Sequence, residues 1–216
     1  VDPNTLPKRV GYDRFPVWME TVPGEAQAMW VPEQLRTADP YPLKVILGFG
    51  MNYRMWPDSD GFIKTIDEKL DFFVNIDLFM TDTCKHADIV LPACTSLERY
   101  ELRCYGMNYI QLASPAIKPL YDSRWDLDIL FDLARRICPE DELLTAGYER
   151  CINYILEPSG LTFEELKAHP GGMFVPNPVP YEPKKYAKAP LPTPSGKVEL
   201  RSKILEKYEG REGFEA

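Results

Sequence analysis

The chain has 216 residues, a net charge of −8 and a pI near 4.9, enough length for one full α/β domain with extensions. The acidic balance argues against a nucleic-acid partner, because no surplus of Lys and Arg is available to displace counterions from a phosphate backbone. No run of about 18 apolar residues marks a membrane span. Nor does a charged start followed by an apolar stretch mark a signal peptide, and a chain that starts at Val1 is expected to be a processed product or an excised piece.

Residues 1–24 are rich in Pro and aromatic residues without periodicity, and are expected to form an irregular arm. A helix is predicted from Glu25 to Thr37, kinked or restarted at Pro32. Leu43–Leu47 is a nearly continuous apolar run, as expected of a strand covered on both faces. Ser59 would cap a helix whose Phe62, Ile63, Ile66 and Leu70 share one face. Asp71–Asp77 and Asp88–Ala93 read as two further strands, joined by a loop with one short helix. The spacing from Val45 to Val74 suits one right-handed βαβ unit.

Further on, Asn108–Leu112 reads as another strand, and Ser123-Arg124-Trp125-Asp126 as a capping box opening a helix with a Leu130, Leu133, Ala134, Ile137 stripe. A second helix is predicted from about Asp141 to Leu156, and a third is capped by Thr162 with Glu165. Between Pro170 and Pro194 lie 8 of the 21 prolines, which excludes an inner strand there; the apolar Met173, Phe174, Val175, Tyr181 and Tyr186 are expected to hold this segment against the domain. Lys197–Leu200 alternates like a half-exposed strand, and Ile204–Tyr208 is expected to be helical.

The chemistry-bearing residues fall in the loops at the carboxyl ends of the first two strands. In Gly48-Phe49-Gly50-Met51-Asn52 the glycines allow close backbone approach to a phosphate and exposed N–H donors, or else simply make a tight turn. Tyr53 stands where a dinucleotide fingerprint needs its third glycine, and no P-loop pattern exists. Asp77 follows Gly50 by 27 residues. Its carboxylate suits a ribose diol, the N–H groups of a guanine edge, or plain helix capping. Thr81 and Thr83 add hydroxyls, and Thr81 at a helix start would make an anion site. Glu98, Arg99 and Glu101 read as salt-bridged surface groups, and Asp88 as structural. Five cysteines without a C-x-x-C argue against a metal or iron–sulfur site in this chain; they read as free thiols, with a Cys94–Cys104 bridge left open. Neither His86 nor His169 has a partner pattern for nucleophilic catalysis, so no catalytic residue and no metal ligand is assigned.

Taken together, the Gly-x-Gly-x-Asn loop, the run from Val74 through Asp77, Phe79, Thr81, Thr83, Ala87 and Asp88 to Pro92, and the following Glu98-Arg99 resemble the molybdopterin oxidoreductases of the dimethyl sulfoxide reductase family. Pro115–Pro119, Trp125–Ala134 and Thr193–Leu200 fit the same resemblance, which covers most of residues 41–204. It implies an enzyme carrying bis-molybdopterin guanine dinucleotide with molybdenum or tungsten. One α/β domain would bind the guanosine end of one dinucleotide. By position, Gly48, Gly50 and Asn52 would face phosphate or ribose, and Asp77, with Thr81 beside it, would pair with guanine or ribose. In the family the metal ligand, the iron–sulfur cysteines and the pterin-gripping C-terminal domain lie in other parts of the chain. Tyr100-Glu101 also departs from the glycine that many members carry there.

The expected architecture is thus α/β: an open, mainly parallel Rossmann-like sheet with helices on both faces. Its expected organisation is an N-terminal arm and helix over 1–40, a cofactor-binding domain over 41–169, and a Pro-rich extension over 170–216 leading to a further domain. The expected role is that of a cofactor-binding part of a larger oxidoreductase, inactive alone. Its expected partners are the remaining domains of the catalytic subunit and an iron–sulfur electron-transfer subunit, with no nucleic acid and no direct membrane insertion. A stand-alone nucleotide-binding or interaction module that kept the scaffold is the alternative. Compartment and substrate are not encoded in these residues.

Overall fold

The computed structural model describes residues 8–22, 25–104, 108–175 and 181–210. In chain order these form α1 (Pro16–Thr21), α2 (Val31–Thr37), β1 (Val45–Phe49), α3 (Ser59–Lys69), β2 (Phe72–Asp77), β3 (Ile89–Pro92), β4 (Glu101–Arg103), β5 (Tyr109–Ala113), α4 (Asp126–Ile137), α5 (Glu142–Thr145), α6 (Tyr148–Leu156), α7 (Phe163–Ala168), β6 (Met173–Phe174), α8 (Lys185–Lys188) and α9 (Lys203–Tyr208). The protein is mixed α/β and divides into two compact units. One comprises Val1–Lys44, Met55–Leu70 and Val179–Ala216; the other comprises Val45–Arg54 and Asp71–Pro178.

The first unit is helical. Pro16 opens α1 inside the stretch expected to be irregular, its fixed φ suiting the first turn. Pro32 likewise starts α2, after a single 3₁₀ turn at Ala28–Trp30. α2 packs against α3, which buries Phe62, Ile63 and Ile66 on one face. The α3 cap is Asp58 rather than Ser59, with its carboxylate accepting from the Gly61 amide at 3.3 Å. α1 meets α9, where Glu20 binds both Lys207 and the Tyr208 hydroxyl. Lys197–Leu200 is not a strand: Val198 is largely and Leu200 almost fully exposed after a turn closed by Gly196 N–H to Thr193 O.

The second unit holds two sheets. β1, β2 and β3 pair in parallel in that order, with Gly48 opposite Asn75, Phe49 opposite Ile76 and Asp77 opposite Pro92. Phe73 and Ile76 are its most buried large side chains. At the start of β3, Asp88 closes the ladder: its amide donates to Phe73 O, and its carboxylate accepts from Phe73 N at 2.7 Å. β4, β5 and β6 form an antiparallel sheet, with β6 on the edge as the proline content requires. Its core is Ile110, Leu112, Ile152, Leu156, Phe163 and Leu166, contributed by β5, α6 and α7.

Three helical expectations are corrected here. Ser123 does not cap α4; its hydroxyl donates to Leu120 O, and Trp125 is the cap without a side-chain bond. The most buried residues of α4 are Ile129 and Phe131, which at 3.6 residues per turn lie about 200° apart, so this helix is covered from two sides and Ile137 is left exposed. The single helix expected over 141–156 is two, α5 and α6, because Gly147 adopts φ +86 between them. The capping box of Thr162 and Glu165 on α7 forms as expected.

Candidate functional site

Parallel pairing puts the carboxyl ends of β1, β2 and β3 on one rim of the sheet. Gly48-Phe49-Gly50-Met51-Asn52 leaves this rim from β1, and Asp77–His86 leaves it from the adjacent strand β2. Gly50 and Asp77 are therefore neighbours across the ladder, and the Gly50 amide donates to Ile76 O at 2.9 Å. That bond uses an N–H expected to be open to a ligand.

The two glycines serve different purposes. Gly48 is buried in β1, and a Cβ there would lie 2.7 Å from Asn75 Oδ1 and 3.1 Å from Met51 Cβ. Gly50 has φ +59, and a Cβ there would meet nothing within 4 Å. Its conformation favours glycine, and the space beside it is open.

Asp77 ends β2 half-buried, with Oδ1 accepting from Leu78 N at 2.7 Å and Phe79 N at 3.3 Å. Oδ2 has no donor among the described residues. Asn52 is exposed; its Oδ1 accepts from Arg54 N at 3.1 Å, and its amide nitrogen has no partner among the described residues. Thr81 turns inward: its Oγ1 accepts from Cys84 N and contacts Cys84 Sγ, each at 3.3 Å. The helix that follows is one 3₁₀ turn, Cys84–His86, too short to act as an anion-binding terminus.

Residues outside the expected site set hold this rim together. Thr83 is fully buried, and its Oγ1 accepts from Tyr53 N at 3.1 Å. The Tyr53 ring, also buried, meets His86 edge-on with centroids 5.7 Å apart. Asn75 is fully buried, with Nδ2 on Cys84 Sγ at 3.2 Å and Oδ1 without a partner among the described residues. Outside them lies a charged pair of contacts, Lys85 Nζ to Asp82 at 2.7 Å and Arg54 Nε to Asp82 at 3.6 Å. The Lys85 bond and charge, followed by Arg54, hold the Asp82 carboxyl below its usual range, and Asp82 raises Lys85 in return. No sequence pattern marks Asn75 or Tyr53; Thr83 was visible only as one more hydroxyl near the loop.

The third loop is built around Glu98. It is not a surface salt bridge: it is buried, with Oε2 accepting from Thr95 N and Oε1 from Leu120 N, both at 2.7 Å. These two amides hold its carboxyl below the ordinary glutamate range. Arg99 pairs with Asp126 at 2.6 Å, and Arg103 with Glu101 at 3.0 Å. A cleft of about 440 Å³ lies near this loop, lined by Tyr100, Trp125, Tyr148 and Phe163 among others, and it contains none of Gly48, Gly50, Asn52, Asp77 or Thr81. None of the five cysteines is in a disulfide, so the Cys94–Cys104 bridge does not form. Among the described residues no group of three or more His, Cys, Asp or Glu is placed to hold a metal ion, and no helix is long and apolar enough to cross a membrane.

Comparison with known proteins points the same way as the motif. Residues 32–136 match the family model described as molybdopterin oxidoreductase. The dimethyl sulfoxide reductase DmsA of Haemophilus influenzae is 30% identical over 193 residues, covering 76% of this chain and 23% of that protein. The dimethyl sulfoxide/trimethylamine N-oxide reductase of Cereibacter sphaeroides is 35% identical over 170 residues, covering 65% and 20%. Among solved structures, acetylene hydratase from Pelobacter acetylenicus superposes with a TM-score of 0.68 at 27% identity, over 85% of this chain and 25% of that one. The chain thus spans a quarter or less of the length of these proteins. It belongs to the molybdopterin oxidoreductases of the dimethyl sulfoxide reductase family.

Proposed function

We propose that this chain is the part of a molybdenum or tungsten oxidoreductase that binds the guanosine end of a molybdopterin guanine dinucleotide. One observation carries the reading: Asp77 presents a carboxylate oxygen with no donor among the described residues, on the same rim as the open space at Gly50. These residues fit the group. Asp77 Oδ2 is an acceptor for the N–H groups of guanine or for a ribose hydroxyl, the Asn52 amide nitrogen is a donor for phosphate or ribose, and Gly50 leaves room for the backbone and phosphate to pass closely. Gly48 and Thr81 shape the rim from within. When bound, the cofactor supplies metal-centred redox chemistry; this chain's residues bind and orient its nucleotide end.

In this reading residues 41–169 form the cofactor-binding domain, with the parallel sheet as the centre of a Rossmann-like arrangement with helices on both faces. Residues 1–40 are an N-terminal arm and helix, and 170–216 are a Pro-rich extension leading to a further domain. The remaining domains of a catalytic subunit supply the metal ligand and the second half of the pterin contacts, so this chain alone has no redox activity. An iron–sulfur subunit is the electron-transfer partner. Calorimetric titration of the chain with GDP and with ADP tests the reading: tighter binding of GDP supports it, and equal or absent binding of both overturns it.

A further inference from the structure

We infer that Thr83 is a positioning residue for this nucleotide site, fastening the loop after β1 to the loop after β2 so that both present one surface. The inference rests on the nucleotide reading above, and the experiment below separates the two.

The segment from Gly50 to Tyr53 is pinned at both ends. At one end the Gly50 amide donates to Ile76 O, next to Asp77. At the other, the Tyr53 amide donates to the hydroxyl of Thr83, 30 residues away in sequence. Both ends of this second bond are buried, Thr83 at 0% and Tyr53 at 3% exposure. Asn52 sits between the pins. Three residues of chain reach at most about 10 Å, so with both ends held Asn52 cannot move far from Asp77. Without the Thr83 hydroxyl the Tyr53 amide is left buried and unpaired, and the loop must open to hydrate it. The other links between these loops have less leverage. Arg54 and Asp82 pair at 3.6 Å with both side chains about half exposed, where solvent screens them. The edge contact of Tyr53 with His86 is apolar and sets no hydrogen-bond register.

Thr83→Val keeps the shape and removes the acceptor, whereas Thr83→Ser keeps the acceptor. In Thr83→Val, amide exchange at Tyr53 should quicken and GDP binding should weaken, each by about tenfold, the usual effect of one buried hydrogen bond. Thr83→Ser should restore both to within about twofold of the unmodified chain, and Arg54→Ala should leave exchange at Tyr53 unchanged to the same margin. If Thr83→Val does not fold, Thr83→Cys carries the test: its thiol is a weaker acceptor, and both readouts should fall between those of Val and Ser. Faster exchange at Tyr53 with undiminished GDP affinity would overturn the inference and leave the nucleotide reading intact. Absence of GDP binding to the unmodified chain would remove the nucleotide reading, and Thr83 would then have no site to position. Unchanged exchange in Thr83→Val would show that the hydroxyl fastens nothing.

Discussion

Asp77 Oδ1 accepts a hydrogen bond from the backbone nitrogen of its own successor, Leu78, at 2.7 Å. Phe79 N adds a longer bond of 3.3 Å to the same oxygen. One carboxylate oxygen therefore shapes the turn at the end of β2, and the other accepts no donor among the described residues; in the proposed reading it is the one that meets the nucleotide. The division has a practical consequence, because removing the side chain damages both roles at once. Asp77→Ala should cost about 0.5–2 kcal/mol of stability, the range for loss of a comparable cap, whereas Asp77→Asn retains the turn-forming oxygen and should cost only a few tenths. Urea unfolding midpoints of the two variants provide the check.

The two glycines of the β1 loop should fail for different reasons. At Gly48 a methyl group meets Asn75 Oδ1 at 2.7 Å inside a filled core, so Gly48→Ala should destabilise by about 1–3 kcal/mol through overpacking. Combining it with Asn75→Ala should recover part of that loss, measured by a double-mutant cycle in denaturant. At Gly50 the methyl enters open space but the backbone lies at φ +59, so Gly50→Ala should cost about 1–2 kcal/mol through conformation alone, with no recovery from Asn75→Ala.

Glu98 gives the chain a signature in acid. Its folded carboxyl lies below the unfolded value because it accepts from Thr95 N and Leu120 N. A depressed acid stabilises the fold fully above the unfolded pKa, about 4.3 for Glu, and that contribution is lost as pH falls through the lower folded value. Glu98→Gln should therefore be less stable than the unmodified chain at pH 7, and the difference should shrink steadily below about pH 4. Thermal unfolding across pH 3–7 would show it; a difference independent of pH would contradict the assignment.

How much of this was legible in the sequence depends on how local each cause is. β2 and β3 read correctly because each is a short apolar run bounded by polar loops, although only β2 carries buried side chains, and the capping box of Thr162 and Glu165 is complete within four residues. The rim residues Gly50 and Asp77 were also legible, since strand order and direction place them side by side once the βαβ spacing is recognised. The hydrogen bond from Tyr53 to Thr83 joins residues 30 apart and leaves no periodic trace. Glu98 next to Arg99 looks like an ion pair on paper, yet in three dimensions its oxygens face backbone amides, one of them 22 residues away. The break at Gly147 was visible as a glycine, but helical spacing of the apolar residues on both sides outweighed it.

In the proposed reading, Asp77 Oδ2 recognises the donor groups of guanine. Asp77→Asn leaves the turn in place and can present an N–H₂ donor where Oδ2 stood, which suits the N1 acceptor of adenine and opposes the N1 donor of guanine. The most direct measurement is the ratio of GDP to ADP affinity, by calorimetry, in the unmodified chain and in Asp77→Asn. The unmodified chain should prefer GDP, and that preference should disappear or invert in the variant, a change of about tenfold or more. An unchanged ratio would contradict it.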